Sequence, residues 1–313
     1  MIKTGVFSQR AIPITSAAVE WPTVALIILN WLAFLALTLL YHTLPSWLIL
    51  ALGGFLVALF GSLQHEVLHG HPTPNQTLNE AMIFPNIALW MPYSLYKSTH
   101  LTHHINDQLT EPELDPESYY LSPEKWQQSP SFIKTYYRFY NTFIGRFLWG
   151  PMHIMTSLWM TETRSILSGN TQTIRIWTIH LLACLPVIYW VLVICSIPFW
   201  EYIALFVYPG ISLTLMRSFA EHQAVNKVGE RSIIVETNPL LSLMYLNNNL
   251  HAIHHKNPNL AWFRIPMIWE CERDKVLADN GNYYFKGYFS IIRQYSITPK
   301  EPPNHPLQAH GSN

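Results

Sequence analysis

The fold is decided by an uncharged stretch near the N-terminus. Residues 22–64 read PTVALIILNWLAFLALTLLYHTLPSWLILALGGFLVALFGSLQ. A more polar break at residues 41–45 divides the stretch into two apolar segments, roughly residues 22–40 and 46–64. Each segment has about the 20 residues that a helix needs to cross a bilayer. The stretch therefore predicts two transmembrane helices that are joined as a hairpin.

The same pattern recurs later in the chain. No Lys or Arg occurs between Arg175 and Arg217, and a short turn at residues 197–199 divides this gap. The gap predicts a second hairpin, with spans at roughly residues 175–196 and 199–219.

A further apolar stretch, roughly residues 81–96, is short for a span and is interrupted by Pro85 and Pro92. Proline removes a backbone donor and breaks a continuous helix. We therefore expect a re-entrant or interfacial segment here. The predicted fold class is all-α: an integral membrane protein with four transmembrane helices in two hairpins and a cytoplasmic helical cap.

Composition supports a membrane protein. Of the 313 residues, 50% are hydrophobic and only 12% are charged, against about 25% charged residues in soluble domains. Lys plus Arg equals Asp plus Glu at 19 each, so no net charge indicates a nucleic-acid partner. The three Cys form neither a disulfide framework nor a zinc ribbon. We predict one domain over residues 1–298 and a disordered, proline-rich tail over residues 299–313.

The basic residues predict the orientation. All of them fall in the N-terminal segment, the long middle segment and the C-terminal third, whereas the two short hairpin turns contain none. Cytoplasmic segments carry the excess of Lys and Arg. A multi-pass membrane protein with both termini and the cap in the cytoplasm is therefore predicted.

The most unusual feature is the number of histidines, 15. Ten of them fall in four places along the chain. These are His65, His69 and His71; His100, His103 and His104; His222; and His251, His254 and His255. Spacings of three and four residues place side chains on one face of a helix. In the predicted topology, all four places lie at the same face of the membrane.

So many imidazoles indicate more than one metal ion. A catalytic zinc uses three protein ligands and keeps one open position. Imidazole suits Zn, Cu, Fe and Ni, so the ligand type alone does not name the metal. The count favours two metal ions at one site.

At this point the sequence resembles a known family. His65-Glu66-Val67-Leu68-His69, His100-Leu101-Thr102-His103-His104 and His251-Ala252-Ile253-His254-His255 look like the three histidine boxes of membrane fatty acid desaturases and related hydroxylases. Residues 247–249 and the pair Glu221-His222 also match that family.

The resemblance implies an enzyme with two iron ions that uses O2 to introduce a double bond into a long acyl chain of a lipid. Three residues separate the histidines of the first box, as in acyl-lipid desaturases. The implied metal ligands are His65, His69, His100, His103, His104, His222, His251, His254 and His255. The implied partners are the lipid substrate, the bilayer and a separate electron donor of ferredoxin, rubredoxin or cytochrome type, with its reductase.

Other polar residues are expected to support these ligands, because metal-bound histidines normally donate their free ring N–H to a neighbouring group. The candidates are His71, Glu66, Glu221, Asn248 and Asn249, with Asp107 and Glu111 as weaker ones. A docking patch for the electron donor is expected at Lys256, Arg264, Arg273 and Lys275. The isolated His42, His153 and His180 are expected to be structural or interfacial, and His305 and His310 are placed in the tail.

Three alternatives remain open at this stage. A hydroxylase of the same superfamily would share every metal ligand. His65-Glu66-Val67-Leu68-His69 also matches the H-E-x-x-H pattern of zinc proteases, in which Glu is the general base. A metal transporter would instead place its ligands along a path through the spans.

Overall fold

The protein is described by a computed structural model that covers residues 19–104 and 109–307. The described chain is mostly helical. In chain order its helices are α1 (Trp21–Leu39), α2 (Ser46–Leu68), α3 (Gln76–Met82), α4 (Tyr93–His103), α5 (Pro123–Gln128), α6 (Ser131–Tyr140), α7 (Gly150–Leu167), α8 (Thr171–Tyr189), α9 (Phe199–Tyr202), α10 (Tyr208–Glu221), α11 (Pro239–Met244), α12 (His251–Lys256), α13 (Ile265–Asp279) and α14 (Tyr288–Tyr295). Three π-helical turns, Gly145–Trp149, Trp190–Ile194 and Ile203–Val207, precede α7, extend α8 and join α9 to α10.

All four predicted spans are confirmed as helices that are long and apolar enough to cross a membrane. They are α1, α2, α8 continued to Ile194, and the continuous segment from α9 to the end of α10. Helix α2 runs to Leu68, beyond the predicted end at residue 64, so it carries His65 on its last turn. Residues 81–96 do not form a span, because α3 ends at Met82 and α4 begins only after Pro92.

Helices α2 and α10 form the centre of the bundle. Glycines allow their close approach, since a Cβ atom on Gly210 would lie 2.5 Å from Val57. A Cβ atom on Gly53 of α2 would lie 2.8 Å from the carbonyl oxygen of Leu205, in the π-helical turn that leads into α10. Small residues permit this kind of backbone contact between membrane helices. The first histidine box and His222 lie at the C-terminal ends of these two helices.

Helices α1 and α8 flank this pair and expose apolar side chains. Leu29, Leu32, Leu181 and Leu185 are each more than half exposed. Leucines that face outward from a bundle of spanning helices are what contact with lipid tails requires. The outer surface of the bundle is therefore suited to a bilayer.

The cap contains the only strands among the described residues, β1 (Ile234–Glu236) and β2 (Tyr284–Lys286), which pair in parallel. Strand β1 supports the third histidine box, since Val235 N–H donates to Asn249 O at 2.8 Å. Ala252 N–H donates to Ile233 O at 2.9 Å. With so little strand, the all-α prediction is confirmed.

The prediction of a disordered tail is wrong for residues 299–307, which cross the cap as a strap. Leu121 N–H donates to Pro303 O at 2.8 Å, and His305 is completely buried. Lys300 Nζ donates to His222 O, so the strap contacts a predicted metal ligand. The proline-rich sequence led to the prediction of disorder. The contacts that order the strap could not be predicted, because the residues it contacts lie far away in sequence. Residues 308–313, including His310, lie outside the described residues.

Candidate metal centre

The structure brings the nine predicted histidine ligands together. They form two groups, within each of which one ring nitrogen per residue lies within 4.8 Å of the others. The five-histidine site consists of His65, His69, His100, His104 and His254, and the four-histidine site consists of His103, His222, His251 and His255. The two sites are adjacent, since the His104 and His255 rings stack with their centroids 4.3 Å apart.

Each histidine triplet contributes to both sites. In the second box, His100 and His104 belong to the five-histidine site, whereas His103 belongs to the other. The third box is divided in the opposite sense, because His254 joins the five-histidine site while its neighbours join the four-histidine site. Residues at i and i+4 share a site and the residue at i+3 belongs to the neighbouring one. The triplets therefore act as bridges between two sites.

Ring nitrogens in both sites lie close together, and some of them have no hydrogen-bond partner among the described residues. His100 Nδ1–H donates to Glu117 Oε1 at 2.9 Å, which turns its Nε2 toward the other rings of the site. That Nε2 lies 3.0 Å from the Nε2 atoms of both His65 and His104. The Nε2 atoms of His69 and His255 have no hydrogen-bond partner among the described residues. Converging ring nitrogens of this kind fit a bound cation, and imidazole suits Zn, Cu, Fe and Ni.

Two carboxylates that sequence reasoning missed hold the second box in place. Asp115 Oδ1 accepts a hydrogen bond from His103 Nδ1 at 2.8 Å, and Glu117 accepts the bond from His100. Such partners fix the ring orientation and the nitrogen that faces the metal. The signal was the sequence Asp-Pro-Glu at 115–117, which closely follows the second box.

These carboxylates also shape the electrostatics. Burial alone would lower the pKa of His103, but Glu117 and Asp115 outweigh it and raise the pKa to about 9. By contrast, burial and neighbouring imidazoles lower the pKa of His104 to about 3. Burial and neighbouring imidazoles also hold the pKa of His255 well below the usual value. Most ligands are therefore neutral at pH 7, while a metal ion must displace a proton from His103.

Of the predicted supporting residues, two contact a ligand ring closely. Asn248 Oδ1 accepts a hydrogen bond from His251 Nδ1 at 2.8 Å, and Glu221 Oε1 lies 3.5 Å from the same nitrogen. Glu66 is further from its neighbour, with 3.9 Å between its Oε1 and His65 Nδ1. Its other oxygen accepts a hydrogen bond from Trp262 N–H at 3.3 Å.

The other two do not contact a ligand ring. Asn249 anchors the third box, because its Nδ2 donates to Val235 O at 2.7 Å. His71 Nδ1 lies 2.8 Å from Glu20 Oε1, and neither site includes His71. The turn at Gly70, with a φ of +94°, directs the chain away from the metal centre after the first box. Asp107 lies outside the described residues.

A cavity of about 650 Å³ adjoins the metal centre. His100, His222 and Glu117 line the part of the cavity next to the metal centre. It also extends between the spans, where Gly61 of α2 and Thr214 of α10 line it. A cavity of this size between packed helices is typical of a small-molecule or lipid site.

The comparison with known families agrees with this geometry. The family model described as fatty acid desaturase matches residues 41–288, most of the chain and all three histidine boxes. The chain belongs to the fatty acid desaturase family. A search of the curated proteins found no match. The predicted resemblance is confirmed, and membership implies an oxidoreductase of desaturase or hydroxylase type that modifies fatty acyl chains in a membrane.

The predicted docking patch of this desaturase-family protein is largely neutralised. Lys256 Nζ lies 2.7 Å from Asp279 Oδ2, and Arg273 Nη2 lies 3.0 Å from Glu236 Oε2. Lys275 is paired in the same way with Glu272 at 3.0 Å. These cations therefore contribute little net positive charge to the surface.

The isolated histidines of this desaturase-family chain lie outside the metal centre. His42 Nε2 contacts Cys195 O and His180 Nε2 contacts Leu89 O, each at 3.0 Å, which fits structural roles. His153 contacts the Tyr136 hydroxyl at 2.7 Å and also lines the cavity.

Proposed function

We propose that this protein is a membrane desaturase that uses two iron ions and O2 to introduce a double bond into a long acyl chain of a lipid. The observation that carries the proposal is the convergence of nine imidazoles into two adjacent sites beside a cavity. A five-histidine and a four-histidine site together suit two metal ions, and imidazole ligands suit iron.

Bound iron would supply the oxidising power, with O2 and electrons, that removal of hydrogen from an unactivated CH2 group requires. The chain's own residues position the acyl chain and the ligands. The cavity presents Val57, Ile211 and Leu215 to an apolar chain and places Glu117 beside the metal centre. Glu117 and Asp115 orient the second box through Nδ1.

A zinc protease is a poorer fit to the same residues. In that mechanism the Glu of the H-E-x-x-H pattern acts as a general base on bound water. Here Glu66 is buried, hydrogen-bonds to the Trp262 backbone and does not line the cavity. A single zinc would also leave one complete histidine site without a role.

We further propose that the metal centre and both termini face the cytoplasm, as the distribution of basic residues predicts. Electrons would then come from a separate ferredoxin, rubredoxin or cytochrome-type donor and its reductase. This proposal rests on the sequence, in which no cysteine cluster for an iron–sulfur centre is present.

Lipid analysis tests the function. The protein is expressed in a host with a simple acyl composition, beside a variant in which His104 and His255 are both Ala. We expect lipids lighter by two hydrogens only with the unaltered protein, and about two iron ions per purified chain. A product heavier by one oxygen would establish a hydroxylase, and one zinc with peptidase activity would overturn the proposal.

A further inference from the structure

The cavity wall carries a buried cation without an acidic partner among residues 19–104 and 109–307. Arg146 is only 4% exposed. Its Nε–H donates to Tyr140 O at 3.5 Å, and an Nη2–H donates to Asn141 Oδ1 at 3.3 Å. Both acceptors are neutral, and no described carboxylate forms an ion pair with this guanidinium. Buried arginines are almost always paired, so the position of Arg146 calls for an anion from outside the chain.

The acidic residues around the cavity already have partners of their own. The closest contacts are Glu117 with His100 at 2.9 Å, Asp115 with His103 at 2.8 Å, Glu162 with Trp177 Nε1 at 2.9 Å, and Glu221 with Arg217 at 2.9 Å. Glu301 accepts a hydrogen bond from Tyr119, the residue on which Arg146 packs, at 3.1 Å. Its carboxylate also lies 3.7 Å from Lys300 Nζ. Lys300 is therefore the cation that contacts Glu301, and Arg146 keeps no acidic partner among the described residues.

Aromatic rings stabilise the charge of Arg146 without neutralising it. The guanidinium carbon lies 4.2 Å from the ring centroid of Tyr140 and 4.7 Å from that of Tyr119. Such contacts stabilise a cation electrostatically. Two of the five guanidinium N–H groups have acceptors in the described chain, so three remain. This planar fork matches the paired oxygens of a carboxylate or a phosphate.

The same cavity connects this cation to the metal centre. The hydroxyl oxygen of Tyr119, against which Arg146 packs, lies 3.0 Å from His222 O. Val57 and Ile211, deep in the spans, also line the cavity. An amphiphile in the cavity would therefore meet a cationic group and an apolar channel beside the histidine sites.

We propose that Arg146 binds the oxyanion, a carboxylate or a phosphate, of the lipid on which the protein acts. This assignment deepens the proposed function and rests on it, because it takes the cavity to be the substrate site. It specifies the substrate class as an anionic lipid, in contrast to a neutral hydrocarbon or ester.

Equilibrium binding to the purified, iron-loaded full chain in non-ionic detergent tests the assignment. The probes are radiolabelled palmitate, methyl palmitate and dipalmitoyl phosphatidylglycerol. At least one anionic probe should bind about tenfold or more tightly than methyl palmitate, as expected for hydrogen bonds to a charged group. Arg146→Gln should abolish this preference and Arg146→Lys should retain part of it. The control is Arg138→Gln, which should leave the preference for the anionic probe unchanged. Arg138 is exposed, and its guanidinium carbon lies 5.7 Å from the ring centroid of Trp126.

The outcomes separate the sources of the anion. Preference for palmitate alone identifies a carboxylate, and preference for phosphatidylglycerol alone identifies a phosphate. Equal binding of all three probes by the unaltered protein, or no binding of either anionic probe, would overturn the assignment even if Arg146→Gln failed to fold. An unchanged preference in a folded Arg146→Gln protein would also overturn it. Because binding is measured without turnover, a failure to form desaturated lipid would instead count against the proposed function.

Discussion

At the scale of single residues, the metal centre depends on where each imidazole proton is held. His100, His103 and His251 donate Nδ1–H to a carboxylate or amide oxygen, which leaves Nε2 for the metal. These bonds explain how Nε2 atoms from three parts of the chain can converge. The Nε2 atoms of His103 and His222, for example, lie 3.0 Å apart. The ligands and their partners therefore have distinct roles that substitution can separate.

Replacing a ligand should remove iron from the protein. We expect His104→Ala or His255→Ala to lower the iron content from about two ions per chain to one or fewer and to abolish turnover, because each site loses a neutral donor. Metal analysis and lipid mass spectrometry measure the two effects. His42→Ala and His180→Ala serve as controls that should keep both. Normal activity in three or more alanine variants of the nine ligands would contradict the assignment.

Replacing a partner should weaken iron binding without removing a ligand. Asp115→Asn keeps the shape of the side chain but removes the charge that accepts the His103 hydrogen bond. We expect about a 10- to 100-fold loss of metal affinity, measured by competition with a chelator. Glu113→Gln is the matched control on the same loop, since Glu113 is exposed and pairs only with Lys125 at 3.2 Å among the described residues. Equal affinities in the two variants would contradict the role of Asp115.

At the scale of elements, the packing of α2 against α10 determines the distance between the first box and His222. Gly210 lies at the closest part of this interface, where a Cβ atom would clash with Val57. Gly61 lies on the same helix pair, but there the nearest atom to an added Cβ is Thr214 Oγ1 at 4.0 Å. The two glycines differ in the space available to them.

Alanine at these two positions should therefore have opposite effects. Gly210→Ala is expected to destabilise the protein by about 1–3 kcal/mol through overpacking. Gly61→Ala should be neutral or stabilising by up to about 1 kcal/mol, because glycine is a poor helix former. Thermal unfolding in detergent, with iron content as a second measurement, checks both. A Gly210→Ala protein as stable as the Gly61→Ala protein would show that α2 and α10 do not pack this closely.

At the scale of the whole molecule, the native cysteines offer a test of orientation. Cys271 on α13 is exposed, whereas Cys184 and Cys195 are buried. We expect a membrane-impermeant maleimide to label Cys271 only after the cells are opened, because the proposed orientation places the cap in the cytoplasm. In a Cys271→Ser background, Thr43→Cys, in the exposed turn between α1 and α2, should be labelled in intact cells. Labelling of Cys271 in intact cells would reverse the proposed orientation.

The sequence by itself predicted the spans and the histidines that are proposed as metal ligands. Uncharged runs of about 20 residues identify membrane helices because every backbone polar group must be satisfied inside the lipid. The histidine boxes are local patterns whose spacing fixes the direction of each side chain on its helix. For these reasons all four spans were predicted correctly. All nine histidines were also predicted to converge.

Only the tertiary structure decided how these parts meet. The division of each triplet between two sites depends on how helices from distant parts of the chain cross, which spacing does not encode. Likewise, the strap at residues 299–307 lacks any local signal, because its partners, such as Leu121 and His222, lie far away in sequence. For the same reason, the sequence did not single out Arg146. Its sequence neighbours resemble those of an ordinary interfacial arginine, whereas its burial without an acidic partner follows from three-dimensional packing.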